Sequence, residues 1–377
     1  MGSLPPPTRK LFTPIQIGTL TLSNRIIMAP LTRFRASDTH TILPLAAEYY
    51  AQRARAYPGT LLISEACVIH PSAGGNANVP GIYNAEQIAA WKAVTDAVHK
   101  EGGYMYCQLW ALGRVANPEV LKAEGSGNVV SSSPTAYEDG APVPRALTED
   151  EITQYITWYA LAAQNALAAG FDGVEIHAAN GYLIDQFTQD TCNARADRWG
   201  GSVAHRARFA LEVTRAVVDA VGADRTGIRL SPWSPFQGMK MADPIPQFTH
   251  LTAELAKHRL AYLHLVESRI SGNADVEATE KNDPLVDVWG KTSPILIAGG
   301  LTPESARRIV DEEYADKEVG VVFGRYFISN PDLVFRVKKG VPLRKYEREV
   351  FYKVKSEVGY ADYEFCEEWK REHEALA

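Results

Sequence analysis

The chain has 377 residues, 46% of them apolar and 22% charged, with a formal net charge of -6 at pH 7. That is enough apolar matter for a large core, and no Lys/Arg block offers a surface for nucleic acid or an anionic membrane. The four cysteines, Cys67, Cys107, Cys192 and Cys366, lie too far apart for a zinc or iron–sulfur ligand set, so no metal is expected. Neither a run of 18 apolar residues nor a secretory apolar core at residues 1–7 is present, and the expectation is a cytoplasmic protein with reduced thiols and no membrane partner.

Short β-branched or apolar runs alternate with helical patterns along the chain. The runs are Ile26–Ala29, Thr60–Ile63, Tyr104–Gln108, Gly173–His177, Thr226–Ser231, Tyr262–Glu267, Pro294–Ala298 and Gly320–Phe323. Between the second and third, Ala85–Lys100 repeats apolar residues at Ile88, Trp91, Val94 and Val98 with helical period. Thr148-Glu149-Asp150-Glu151 has the pattern of a capping box, opening a helix to about Ala169 before Gly170. Arg206–Val221 ends at Gly222, and Thr302-Pro303 reads as an N-cap with proline at N1 before a helix over Ser305–Glu312. Eight strand–helix alternations without a linker predict one domain over 1–377, a (β/α)8 or TIM barrel. A lead-in at 1–23 and a helical tail from about 331 to 377 flank it. Residues 109–147 and 232–256 depart from the plain repeat and predict long excursions after strands three and five.

Barrel enzymes keep their chemistry where strand ends feed loops. Strand four stops at His177, with Asn180 and Tyr182 just beyond: two groups able to donate hydrogen bonds to one substrate oxygen, and a phenolic proton nearby. Glu175 is expected on the opposite side of its strand from His177, leaving the histidine without a close metal-ligand partner. Strand seven ends in Gly299-Gly300 and strand eight in Gly324-Arg325, the two barrel loops that commonly hold a phosphate, although either glycine motif alone could serve a turn. With no GxGxxG after an early strand, a Rossmann-held nicotinamide is disfavoured.

Taken together, Leu11-Phe12-Thr13-Pro14, Asn24–Arg33, Cys107–Arg114, the His177–Phe187 stretch and Arg198–Ser202 make the chain resemble the old yellow enzyme family of flavin-dependent ene-reductases, over nearly its whole length. It is also similar to fungal members that reduce or isomerise an ergot-alkaloid aldehyde. The resemblance implies bound FMN, reduced by NADPH or NADH, and a small enone or enal substrate whose C=C bond is reduced. It implies Pro30, Thr32, Ala66 and Gln108 around the isoalloxazine, Arg229 beside its reduced, anionic edge, and Gly300, Gly324 and Arg325 at the phosphate. His177 and Asn180 would then bind the substrate carbonyl, Tyr182 would donate the proton, and Trp110, Phe351 and Tyr352 would wall the pocket. Some ergot-pathway relatives lack the tyrosine and behave as isomerases; this chain keeps Tyr182, which favours net reduction. An isomerase, a specialised alkaloid-aldehyde reductase and a slow-turnover flavin-binding or redox protein are the alternatives. Monomers, dimers and higher forms all occur among relatives, so a homodimer is among the admissible states.

Overall fold

The computed structural model of the protein describes residues 10–271, 274–277 and 280–374. The first nine residues of the lead-in and the last three of the tail therefore lie outside the described residues. The eight expected runs form eight parallel strands: β1 Ile26–Met28, β2 Leu61–Ile63, β3 Tyr104–Trp110, β4 Gly173–Ala178, β5 Thr226–Leu230, β6 Tyr262–Val266, β7 Ile295–Ala298 and β8 Val319–Phe323. Each pairs with its neighbour in sequence, and β8 returns to β1 with Val321 opposite Ile26, closing the barrel. A short strand, Cys67–Val68, additionally extends the sheet beside the end of β3.

Side-chain alternation divides the strand residues between two environments. Outward-facing Ile26, Leu62, Met105, Val174, Ile228, Leu263 and Ile295 pack under the surrounding helices. Inward-facing Ile27, Leu61, Tyr106, Tyr262, Leu296 and Val322 fill the lower barrel, and the N-terminal hairpin (Ile15–Ile17 with Leu20–Leu22) adds Ile15, Ile17 and Leu22 to the same cluster. The inward positions nearer the C-terminal ends are polar: Gln108, Glu175, His177, Arg229 and His264. Polar residues there cost desolvation unless they pair or face a ligand.

The helices follow their sequence signals. Thr148 and Glu151 form the reciprocal capping box of the Glu149–Ala168 helix, and Asn84 caps Ala85–Lys100. The Val203–Val221 helix starts three residues earlier than its apolar pattern, because Ser202 accepts a hydrogen bond from the His205 amide. The helix opened by Thr302 runs Pro303–Arg308 and then widens into a π turn over Ile309–Glu313.

Both excursions exist, with more structure than their composition suggested. The first carries a helix, Pro118–Ala123, and a paired Val130–Ser131/Arg145–Ala146 ribbon. The second is shorter than expected, since Ile245–Ala256 is already helix. Buried Arg114 ties the two together, donating to the Thr135 and Ala136 carbonyls in one and the Gln237 and Gly238 carbonyls in the other. The tail has helices at Leu333–Lys339 and Glu367–Glu374, separated by a largely irregular stretch with one 3₁₀ turn at Arg348–Val350. The carbonyls of Val350, Phe351, Ser356, Val358 and Gly359 in that stretch accept from Arg33 and Arg35 instead of from a helix of their own.

Candidate active site

A cavity of about 580 Å³ opens at the C-terminal ends of the strands. It gathers Pro30 and Thr32 after β1, Asn180 and Tyr182 after β4, Arg229 on β5, Gly299 and Gly300 after β7, and Gly324 and Arg325 after β8, with Phe351 and Tyr352 from the tail. The volume suits a small-molecule site. Residues predicted from five strand ends thus meet around one space. Ala66, Gln108, Trp110 and His177 are buried and do not line it, Trp110 and His177 standing against the Tyr182 ring.

The β4 end is a rigid unit. Asn180 sits at φ 57°, a left-handed conformation that asparagine tolerates better than most residues, and its amide donates to Ser231 Oγ at 2.7 Å. The Gly181 amide donates to Asp185 Oδ2 at 2.9 Å, and Gln186 Nε2 donates to the Gly181 carbonyl at 2.8 Å. Tyr182 is thereby held with its ring edge-on to both His177 and Trp110, each at 4.9 Å between ring centroids. Trp110 is thus separated from the pocket by the Tyr182 ring.

The electrostatics favour neutral donors. Burial, with Arg229 and His264 nearby, holds the His177 imidazole well below the usual histidine range, so it is uncharged at neutral pH. The Ala179 amide donates to His177 Nδ1 at 3.4 Å, which assigns the ring proton to Nε2. Burial pushes the Tyr182 phenol up to about 12, opposed by the Gln237 amide beside it, so the hydroxyl stays protonated.

Glu175 lies on the same face of β4 as His177, contrary to the sequence expectation, because residues two apart on a strand share a face. It points into the barrel, where it accepts hydrogen bonds from Gln108, Tyr262 and His264. Arg229 Nε is buried without a hydrogen-bond partner, and among the described residues Arg229 joins no ion pair. At the opposite side, Gly299 and Gly300 take φ 125° and 56°. Gly299 has a backbone conformation that residues with side chains rarely adopt, and a Cβ there would crowd the Glu267 backbone at 3.3 Å, so this turn requires glycine. An unpartnered guanidinium on one side and an open glycine turn with Arg325 on the other fit a flat, phosphorylated cofactor.

Two arginines that the sequence reading passed over support the far wall. Arg33 donates to the Phe351 and Gly359 carbonyls and to the Tyr49 hydroxyl; Arg35 donates to the carbonyls of Val350, Phe351, Ser356 and Val358. Both are fully buried. Their only signal in sequence is two charges, in Thr32-Arg33-Phe34-Arg35, close after an apolar strand.

The NADH:flavin oxidoreductase / NADH oxidase family profile matches residues 10–344. The chain belongs to this family. It is 63% identical over 368 residues to a chanoclavine-I aldehyde reductase of Penicillium roqueforti, covering 98% of this chain and 100% of that protein. It is 54% identical to an NADP-dependent oxidoreductase of Aspergillus flavus, over 95% of this chain and 97% of that one. The crystal structure of old yellow enzyme from Pichia sp. superposes with a TM-score of 0.88 at 37% identity, covering 95% of this chain and 94% of the other. Family membership makes the protein an FMN-dependent oxidoreductase with NAD(P)H as hydride donor.

Proposed function

We propose that the protein reduces the C=C bond of an α,β-unsaturated aldehyde or ketone. The observation that carries this reading is a protonated Tyr182 phenol on the cavity wall, held edge-on to a neutral His177 and two residues from Asn180. FMN supplies the hydride when bound, and electrons reach it from the nicotinamide.

The chain's own residues do the rest. His177 Nε2–H and the Asn180 side-chain amide donate to the substrate carbonyl oxygen and stabilise negative charge as it develops there. Being neutral, His177 supplies this bond without placing a second cation beside Arg229. Tyr182 Oη gives its proton to the α carbon; a phenol at about 12 is a weak enough acid to hold that proton until the carbon becomes basic. Pro30, Thr32, Ala66 and Gln108 would hold the isoalloxazine of bound FMN, Arg229 would offer positive charge to its electron-rich edge, and Gly299, Gly300, Gly324 and Arg325 would hold the phosphate. Trp110, Phe351 and Tyr352 set substrate orientation, Trp110 through the Tyr182 ring.

The donor is assigned as NADPH, in keeping with the Aspergillus relative described as NADP-dependent. The substrate is assigned as an alkaloid aldehyde of the kind named for the Penicillium relative, chanoclavine-I aldehyde. Aromatic walls from Phe236, Tyr326, Tyr346, Phe351 and Tyr352 suit such a molecule. The test is an anaerobic titration of the FMN-loaded protein with NADPH, then with chanoclavine-I aldehyde or 2-cyclohexenone. Bleaching of the flavin band and its return on adding the enal or enone supports the reading. A reduced band that neither acceptor restores contradicts it.

A further inference from the structure

The barrel interior holds a carboxylate for which the proposed reaction has no use. Glu175 is inaccessible to solvent, yet its side chain is fully engaged: Oε1 accepts from Gln108 Nε2 at 2.7 Å, and Oε2 accepts from His264 Nδ1 at 2.7 Å and Tyr262 Oη at 3.0 Å. The donors come from β3 and β6, so the acid bridges strands on both sides of its own. Gly227, the β5 residue level with Glu175, makes this possible. A Cβ there would lie 2.3 Å from the Tyr262 ring, so only glycine lets that ring cross β5 and bring its hydroxyl to the acid.

Two consequences follow from this geometry. A carboxylate can only accept, so Gln108 must present its NH2 to Glu175 and turn its carbonyl oxygen away from the acid. The Glu175 charge also sits one pleat below Arg229, whose strand pairs with β4 at Arg229 opposite His177. Arg229 lines the cavity with an unpartnered Nε, and among the described residues it joins no ion pair. Opposite charges in a water-poor interior interact beyond contact distance.

We propose that Glu175 is a positioning residue that sets the redox poise of the site: it fixes the Gln108 amide and offsets the Arg229 charge, limiting how strongly the pocket favours reduced over oxidised FMN. This rests on the reading above that Gln108 and Arg229 face the cofactor. Arg229 lies in a wall that would stabilise the negative charge of the reduced flavin; Glu175 beneath it opposes that stabilisation. The two together hold the cofactor where it can both accept hydride from a nicotinamide and pass it on. Burial opposes ionisation of Glu175, but His264 first, by charge and hydrogen bond, and then the Arg229 charge and the Gln108 hydrogen bond outweigh it and hold the acid below the ordinary carboxylate range, consistent with a negative charge at this position.

The experiment is spectroelectrochemical determination of the two-electron midpoint potential of the FMN-loaded protein, beside the dissociation constant of oxidised FMN. Glu175→Gln should keep the bound flavin and raise the potential, with about tenfold stronger discrimination in favour of the reduced form, equivalent to about 30 mV. Arg229→Met should lower the potential. A merely structural Glu175 would change melting temperature and FMN stoichiometry while leaving the potential of the bound fraction where it was. If Arg229→Met lowers the potential and Glu175→Gln does not move it, the proposal is overturned and the placement of Arg229 stands. If Glu175→Gln raises it and Arg229→Met has no effect, the Glu175 charge acts on the site but not by offsetting Arg229, and that part of the proposal is overturned together with the placement of Arg229. If neither moves it, both fail. Should Glu175→Gln not fold, Tyr262→Phe reads the same charge with the opposite sign. Losing a donor leaves the carboxylate less screened and the potential falls; an unchanged or raised potential overturns the proposal.

Discussion

Arg35→Met isolates the support of the pocket's far wall. Arg35 is buried and sends four hydrogen bonds into the tail, to Ser356 at 2.9 Å, Phe351 at 2.8 Å, Val350 at 3.2 Å and Val358 at 3.0 Å. Methionine fills much of the same space and donates nothing. Each charge-assisted bond contributes roughly 1.5–3 kcal/mol, but the freed carbonyls can turn to water once the segment lifts, so the four do not add. The expected net loss is about 3 kcal/mol, localised to residues 349–360. It corresponds to roughly 100-fold faster amide exchange in that segment with little change in the barrel strands. Hydrogen exchange read by mass spectrometry on peptides covering 349–360 measures this directly. Because Phe351 and Tyr352 ride on the segment, kcat/KM should also fall further for a bulky enal than for 2-cyclohexenone. Exchange within threefold of wild type across 349–360 would refute the argument that Arg35 holds this wall.

Other outcomes follow from the same geometry. Tyr182→Phe should leave flavin reduction by NADPH unchanged and slow reoxidation by an enone by roughly 100-fold or more; stopped-flow measurement of the two half-reactions separates them, and equal slowing of both would assign Tyr182 a different role. With His177 held below the ordinary histidine range and Tyr182 at about 12, the oxidative half-reaction should be flat between pH 6 and 10; a limb in that window that disappears in His177→Asn or Tyr182→Phe contradicts the protonation states assigned here. Gly299→Ala, forced to φ 125°, should weaken FMN binding by about tenfold or more, and fluorescence titration with FMN showing wild-type affinity would remove this turn from the cofactor site. Burial raises the Asp185 carboxyl to about 7, so the folded state holds a proton that the unfolded state has released, and this acid's contribution to stability falls as pH rises from about 4 to 7. The melting temperature of Asp185→Asn relative to wild type should therefore rise across that window; a difference independent of pH would contradict the raised value.

The barrel was legible because each strand is a short apolar run bounded by helix signals, and parallel strands buried on both faces give that pattern. The site was legible where its residues are close in sequence: His177, Asn180 and Tyr182 leave one strand end together, and the two glycine turns occupy their ordinal places. What sequence alone obscured depends on strands meeting through space. Glu175 gains meaning only when Gln108, Tyr262 and His264 arrive from two other strands, and simple alternation already places it on the face of His177, so that expectation was an error of period. Arg33 and Arg35 were hidden because their partners are carbonyls more than 300 residues later, a type of contact with no residue signature. The tail's irregular stretch has the same origin, since those carbonyls are drawn to the arginines.

The central claim is that hydride and proton are added across C=C, with the aldehyde or ketone retained. It is tested most directly by running the reaction in D2O with NADPH and an enal and locating the label by NMR and mass spectrometry. The expected product is a saturated aldehyde with one deuterium at the α carbon, lost in Tyr182→Phe. An allylic alcohol with the C=C bond intact would contradict it.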